Sequence, residues 1–183
     1  MVRLTLASRS PQRRAILEQI GVDFEVVVPD VEELTEGEPG AVVVENALRK
    51  ARAVDGELVL GCDTEVVLDG RVYGKPGDER EAEAFLRQLS GREHRVVSGL
   101  AVIESGEEVT ATATTGVTFR ELDEVTLRWY LASGEWRERA GGYAIQARGA
   151  ALVERIDGDY LNVVGLPLAT LLELKPSLPL SHH

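Results

Sequence analysis

The residues best equipped for chemistry sit in short polar stretches that interrupt apolar runs. The first is Ala7-Ser8-Arg9-Ser10-Pro11-Gln12-Arg13-Arg14. A strand that ends in small hydroxyl residues and turns straight into a helix leaves backbone N–H groups at the positive helix end, an arrangement suited to an anion. Ser8, Ser10, Arg9 and Arg13 would add donors, although an N-cap with solvated arginines explains the same residues. The second is Asp63, in Gly61-Cys62-Asp63-Thr64 after the apolar run Leu58–Leu60. A carboxylate at the mouth of an α/β sheet lies where ligands bind, and there it could hold a divalent cation, take a proton from water, or simply cap a turn. Glu32 and Glu33 follow the run Phe24–Val28 and could bring another carboxylate to the same edge, or stay solvated.

Lysine is rare here, three against 17 arginines, which draws notice to Lys50 and Lys75. Lys75 stands in Gly74-Lys75-Pro76 and suits a phosphate oxygen as a compact charge. Lys50 falls on the polar side of its helix and reads as a surface lysine. Ala140-Gly141-Gly142-Tyr143-Ala144-Ile145-Gln146 reads as a flexible loop ending in an amide that could meet a base edge. No histidine pair has metal-ligand spacing: His94 is isolated, and His182-His183 reads as a remnant of expression. P-loop and dinucleotide-binding glycine signatures are absent.

These residues belong to a chain of 183 residues with a net charge of −11. Such a surface repels nucleic acid and anionic membranes, so an anionic ligand would need a local cationic cluster, a helix N-terminus or a bridging metal. The single cysteine, Cys62, excludes an internal disulfide and a multi-cysteine metal site. No apolar stretch is long enough for a membrane span, and Val2–Ala7 is too short for a signal core, so a cytoplasmic setting is expected.

Alternating strand and helix patterns then position the polar stretches in an α/β fold. Val2, Leu4 and Leu6 alternate as a strand. Pro11 opens a helix stopped by Gly21, and Pro39-Gly40 opens another carrying Val43, Ala47, Ala51 and Val54 on one face. Leu58–Leu60 predicts a strand that delivers Asp63 at its end. Val66–Leu68 and Arg71–Tyr73 predict a hairpin across Asp69-Gly70. Asp78 with Glu81 predicts a capping box. Val96–Ile103 and Val109–Phe119 predict a long antiparallel pair, and Asp123–Ala132 a helix. Ala151–Ile156 and Tyr160–Val164 predict a second hairpin around Asp157-Gly158, and Pro167 begins a final helix through Leu174. Antiparallel strands among strand-helix units imply a mixed sheet.

From Leu4 to Leu174 the ordered motifs resemble the Maf family of nucleoside triphosphate pyrophosphatases, also described as septum-formation inhibitors. The likeness rests on Leu6-Ala-Ser-x-Ser-Pro-x-Arg13, Val31-Glu-Glu33, Ala47-x-x-Lys50-Ala51, Gly61-x-Asp63-Thr64 and Gly74-Lys75-Pro76. It continues through Leu89-Ser90-Gly91-x-x-His94, Ala140-Gly-x-Tyr143-x-Ile-Gln146 and Val163-Val-Gly-Leu-Pro-Leu168. The resemblance implies one domain over residues 1–183 with a loose tail from 175. It also implies an elongated mixed, twisted sheet flanked by helices, as in inosine triphosphate pyrophosphatases, with the active-site cleft between two lobes.

The expected activity is hydrolysis of a nucleoside triphosphate to the monophosphate and pyrophosphate with a divalent cation, Mg²⁺ or Mn²⁺. Asp63 matches the acid–base residue. Ser8, Arg13, Glu33, Lys50 and Lys75 match residues assigned to phosphates, metal or water, with Asp63 and Glu33 as the metal-holding pair. The Gly-x-Tyr-x-Ile-Gln loop resembles the dTTP and UTP branch, in which the positions of Gln12, Thr64 and Gln146 bear on specificity. Two residues depart from the pattern: Gln12 stands in place of arginine, and Glu65 in place of an apolar residue. The expected partner is the nucleotide, with no nucleic acid and no membrane, and homodimer formation is left open. Two alternatives differ in class: a non-hydrolytic nucleotide-binding regulator of division, and a phosphotransferase using Asp63 as nucleophile. The latter would want a second aspartate two residues on, where Glu65 stands.

Overall fold

The computed structural model describes residues 3–178. Val2 and His182-His183 therefore lie outside the described residues. The elements in chain order are β1 (Leu4–Ala7), α1 (Pro11–Gln19), β2 (Phe24–Val27), α2 (Pro39–Arg52), β3 (Leu58–Leu68), β4 (Arg71–Tyr73) and α3 (Glu79–Leu89). They continue with β5 (Glu93–Glu104), β6 (Glu107–Phe119), α4 (Glu124–Ala132), β7 (Val153–Asp157), α5 (Tyr160–Val164) and α6 (Leu168–Leu174). The sheet runs β2-β1-β3-β5-β6-β7, with β4 paired to β3. It is mixed: β1 pairs parallel with β2 and β3, while β3–β4 and β6–β7 are antiparallel.

The chain divides into two compact units. The first comprises the residues up to Thr64, 98–113, and those from Gly165 onward. Ala47 and Ala51 of α2 pack with Ala7, Val59 and Ala101. This helix lies almost on the strands. A Cβ at Gly61 would stand 2.1 Å from the Ala47 carbonyl oxygen, and one at Gly99 would stand 2.3 Å from that of Val43. Only hydrogen at those two positions allows so close an approach. The tail expected to be loose from 175 is held through Leu178: Lys175 pairs with Glu104 at 2.6 Å, and Leu178 is buried. Residues 179–183 lie outside the described residues.

The second unit covers 65–97 and 114–164. Its core gathers Val66, Phe85, Leu86, Leu89, Phe119, Leu127, Tyr130 and Trp136 among others. Asp69 and Gly70 both have positive φ, 52° and 77°, as the predicted type I′ hairpin requires. The Asp78 side chain caps α3 through the Glu81 N–H at 2.8 Å. The return bond of the expected capping box is displaced by one residue, since Glu81 accepts from the Gly77 N–H at 2.7 Å.

Two predicted elements are corrected. Asp63 does not end a strand, because Leu58–Leu68 is one continuous strand with Asp63 in its middle. The second hairpin does not form, because Tyr160–Val164 is the short helix α5 and β7 pairs with β6. Five residues, apolar except for Asn162, have too little period to separate strand from helix, and Asp159 tips the segment by capping the Leu161 N–H at 2.8 Å.

His94 is 1% exposed, with its Nε2 2.8 Å from the Tyr143 hydroxyl and its ring edge-on to Phe119. Burial lowers its pKa from 6.5 to about 4. The unfolded chain therefore takes up a proton near pH 6.5 while the native protein does not, so stability falls as pH drops from about 6.5 towards 4. Denaturant unfolding of His94→Gln at several pH values should show a flatter dependence across that window, whatever its absolute stability. A slope equal to the parent's would assign the acid sensitivity elsewhere.

Candidate active site

The first unit assembles most of the candidate residues. Pro11 fixes the start of α1, and Ser10 caps it by accepting from the Arg13 N–H at 3.4 Å. Ser8 is buried, and its hydroxyl oxygen accepts from the Ser10 N–H at 3.1 Å and from Arg13 Nη1 at 3.3 Å. Having accepted twice, that hydroxyl keeps its proton to donate. Some donors that the sequence suggests for an anion are thus engaged within the loop itself. Gln12 accepts from Ser10 Oγ at 3.2 Å, and Arg9 is exposed.

Arg13 is only 9% exposed, against the reading of a solvated arginine. Its Nε donates to the Gly165 carbonyl at 2.8 Å, Nη1 to Ser8 and Nη2 to Thr64 Oγ1 at 3.2 Å. All these acceptors are neutral oxygens, so they orient the guanidinium without cancelling its charge. Thr64 in turn lies 2.8 Å from Ser98 Oγ.

The neighbouring residue is Asp63, 7% exposed. Lys50 Nζ donates to Asp63 Oδ1 at 2.8 Å, and Asn46 Nδ2 donates to Oδ2 at 3.0 Å. Burial pushes the Asp63 carboxyl up, but the Lys50 charge and the hydrogen bonds from Lys50 and Asn46 outweigh it, with help from Arg13. The net pKa lies below the ordinary carboxylate value. The same ammonium meets Glu33 Oε1 at 3.1 Å. Lys50 is 8% exposed, so the surface-lysine reading is corrected: its long stem carries the charge inward from α2 to β3. Asn46 was not singled out by the sequence. The signal available was its place one turn before Lys50 on α2.

Two carboxylates thus converge on one cation. Among the described residues no group of three His, Cys, Asp or Glu side chains could hold a metal. Asp63 and Glu33 nonetheless fit Mg²⁺ or Mn²⁺ chemically, because such ions take one or two carboxylates and complete their shell with substrate phosphates and water.

Lys75 and Gln146 belong to the second unit and are exposed. Lys75 Nζ lies 3.5 Å from Glu138 Oε2. The segment before Gln146, expected to be flexible, is pinned. The Gly141 N–H donates to the Gly74 carbonyl at 3.1 Å, the Ala144 N–H to the Tyr130 hydroxyl at 3.2 Å, and Tyr143 and Ile145 are buried. Glu65 is half-buried on β3.

The model of the family described as Maf-like protein matches residues 3–176. A relative from Symbiobacterium thermophilum is 49% identical over 92% of this chain and 90% of its own length. One from Thermococcus gammatolerans is 47% identical over 94% and 95%, and one from Deinococcus radiodurans is 46% identical over 94% and 91%. All three are named dTTP/UTP pyrophosphatase. Among solved structures, the Ham1 protein of Staphylococcus aureus matches 64% of this chain and 71% of its own with a TM-score of 0.45 and 19% identity, a likeness too distant to carry weight. No helix among the described residues is long and apolar enough to cross a membrane.

The Lys50–Asp63 pair carries a stability prediction. Lys50→Met removes the cation from a buried carboxylate and should cost about 3 kcal/mol in denaturant unfolding, the lower part of the range for broken buried pairs because Asn46 still holds Asp63. Adding Asp63→Leu removes the stranded charge and should recover most of the loss. A double variant no more stable than the single one would refute the pairing energy assigned here.

Proposed function

Since the chain belongs to the Maf-like family, we propose that it hydrolyses nucleoside triphosphates to the monophosphate and pyrophosphate, with dTTP and UTP preferred. The observation that carries this reading is the adjacency of a buried carboxylate held ionised, Asp63, to a buried arginine whose hydrogen bonds to Ser8, Thr64 and Gly165 all go to neutral oxygens. A polyanion supplies what that guanidinium lacks. The substrate class follows from the relatives that share the name dTTP/UTP pyrophosphatase over nearly the whole chain.

In this reading Arg13, the Ser8 hydroxyl and the N-terminus of α1 bind phosphate oxygens, with Ser10 shaping the loop and Arg9 adding charge at its edge. Water attacks the α-phosphorus, the bond from that phosphorus to the bridging oxygen breaks, and pyrophosphate leaves with the bonding pair. Asp63 orients the water and receives its proton. Its lowered pKa makes it a weak base, so its share lies more in orientation than in proton affinity. Lys50 keeps Asp63 ionised and draws Glu33 to the same point. A divalent cation held by Asp63 and Glu33 would supply charge neutralisation and a more acidic water. Lys75 is assigned to phosphate charge, and Gln146 to the base, where its amide can match the N3–H and flanking carbonyl of thymine or uracil. Gln12 and Thr64 are engaged by Ser10 and Arg13, so their influence on specificity would act through the phosphate loop. A cytoplasmic site of action is part of the same proposal.

The test is turnover in ¹⁸O-water with Mg²⁺. Label in the monophosphate with unlabelled pyrophosphate is expected. Orthophosphate as product, or no turnover, would overturn the reading in favour of a phosphatase or a binding role. Asp63→Asn should lower kcat by about 10²–10⁴-fold while triphosphate binding persists.

Base reading has its own measurement. An amide matched to thymine and uracil leaves groups unpaired against cytosine, at about 1–3 kcal/mol per group. The ratio of kcat/KM for dTTP over CTP should therefore exceed about tenfold in the parent and shrink in Gln146→Ala. An unchanged ratio would remove Gln146 from that role.

A further inference from the structure

On α2, Asn46, Arg49 and Lys50 fall on one face, and they grip three consecutive residues of the loop that follows β2. Arg49 Nη1 donates to the Glu32 carbonyl at 3.0 Å, and Lys50 Nζ meets the Glu33 carboxylate at 3.1 Å. Asn46 clamps the Leu34 residue from both sides. Its Oδ1 accepts from the Leu34 N–H at 2.7 Å, and its Nδ2 donates to the Leu34 carbonyl at 3.0 Å. The other hydrogen of Nδ2 goes to Asp63 Oδ2 at 3.0 Å.

The grips differ in weight. Glu33 is 48% exposed in its ion pair and the Arg49 contact is also exposed, where such contacts stabilise little. Asn46 is 1% exposed, so its amide must be satisfied and its bonds are directional. It therefore ties the backbone next to Glu33 to the side chain of Asp63 through a single planar group.

The residue type also matters. A neutral donor holds Asp63 Oδ2 in place without cancelling its charge, which leaves that oxygen able to serve a cation. An aspartate at position 46 could accept from the Leu34 N–H. It could donate to neither the Leu34 carbonyl nor Asp63, and it would set a like charge beside Asp63.

We propose that Asn46 is a positioning residue: it fixes the reach of Glu33 relative to Asp63 and sets the orientation of Asp63, so that the two carboxylates act on one cation. What those carboxylates do rests on the function proposed above; the linkage through Asn46 does not.

The test uses Asn46→Leu, which keeps the branching and heavy-atom count of the side chain and removes every hydrogen bond, with Asn46→Ser as the smaller substitute if Asn46→Leu does not fold. In either variant the Leu34 amide should exchange with deuterium about tenfold faster or more, while amides of β1 and β3 keep their protection. Mn²⁺ titrated in the absence of nucleotide should bind about tenfold more weakly, the usual effect of losing a partner that orients a ligand. With dTTP and Mg²⁺, kcat should fall about tenfold or more with KM within about threefold. Glu33→Gln added to Asn46→Leu should cost less than it costs alone, because the two act in one path. An unchanged Leu34 exchange rate, or an Mn²⁺ affinity and kcat both within about threefold of the parent, overturns the proposal. If the parent protein shows no turnover, the proposed function fails, and the exchange and Mn²⁺ measurements still decide the role of Asn46.

Discussion

The close seat of α2 on β3 is the constraint from which the rest of the first unit follows. Gly61 and Gly99 let the helix backbone come within contact distance of the strands, with the small side chains of Ala47 and Ala51 packed against Ala7, Val59 and Ala101. At that separation a side chain as short as asparagine spans from helix to strand, and the lysine one turn later arrives beside it. A bulkier residue at position 61 would lift the helix, and both contacts to Asp63 would stretch together. Packing and electrostatics are here one problem: the apolar stripe of α2 sets the distance at which its polar neighbours become partners of a buried carboxylate.

A chain with net charge −11 has to concentrate positive charge locally if it is to handle a polyanion. It does so by burial. In water an exposed arginine or lysine is weakened by the high dielectric and screened by salt beyond about 10 Å, whereas Arg13 and Lys50 lie inside the protein, where charge acts more strongly. The two cations are used differently. Lys50 is neutralised by Asp63 and Glu33 and holds them together. Arg13 is bound by neutral oxygens from Ser8, Thr64 and Gly165, which fix its direction and leave its charge available. A carboxylate held ionised near a cation that is hydrogen-bonded only to neutral oxygens suits a reaction in which water must approach phosphorus while phosphate oxygens are restrained.

The second unit solves a different problem, the rigid presentation of a loop. Gly141, Tyr143 and Ala144 are each tied down, to Gly74, His94 and Tyr130 respectively. Buried aromatic hydroxyls serve as anchors because their rings fill the core while the hydroxyl answers one polar group. Gln146, exposed at the end of that segment, therefore starts from a fixed backbone, and less freedom is lost when its amide meets a partner.

Local chemistry made much of this legible from the sequence alone. Pro11 and Ser10 determine where α1 starts, Asp69-Gly70 determines a hairpin with two positive φ angles, and alternation with helical spacing determines a mixed α/β sheet. The motifs around Ser8, Asp63 and Lys75 identify the family through residue types at fixed spacing. Tertiary structure decided what depends on distances between segments far apart in the chain. Strand or helix for Tyr160–Val164 turned on a cap and a neighbouring strand, because five residues with a polar Asn162 at their centre carry no clear period. Asp63 became a mid-strand residue because β3 runs on past its polar centre. Lys50 became buried, and Asn46 became its companion, because burial of a polar side chain is set by what packs over it, and only the fold brings β3 under that face of α2.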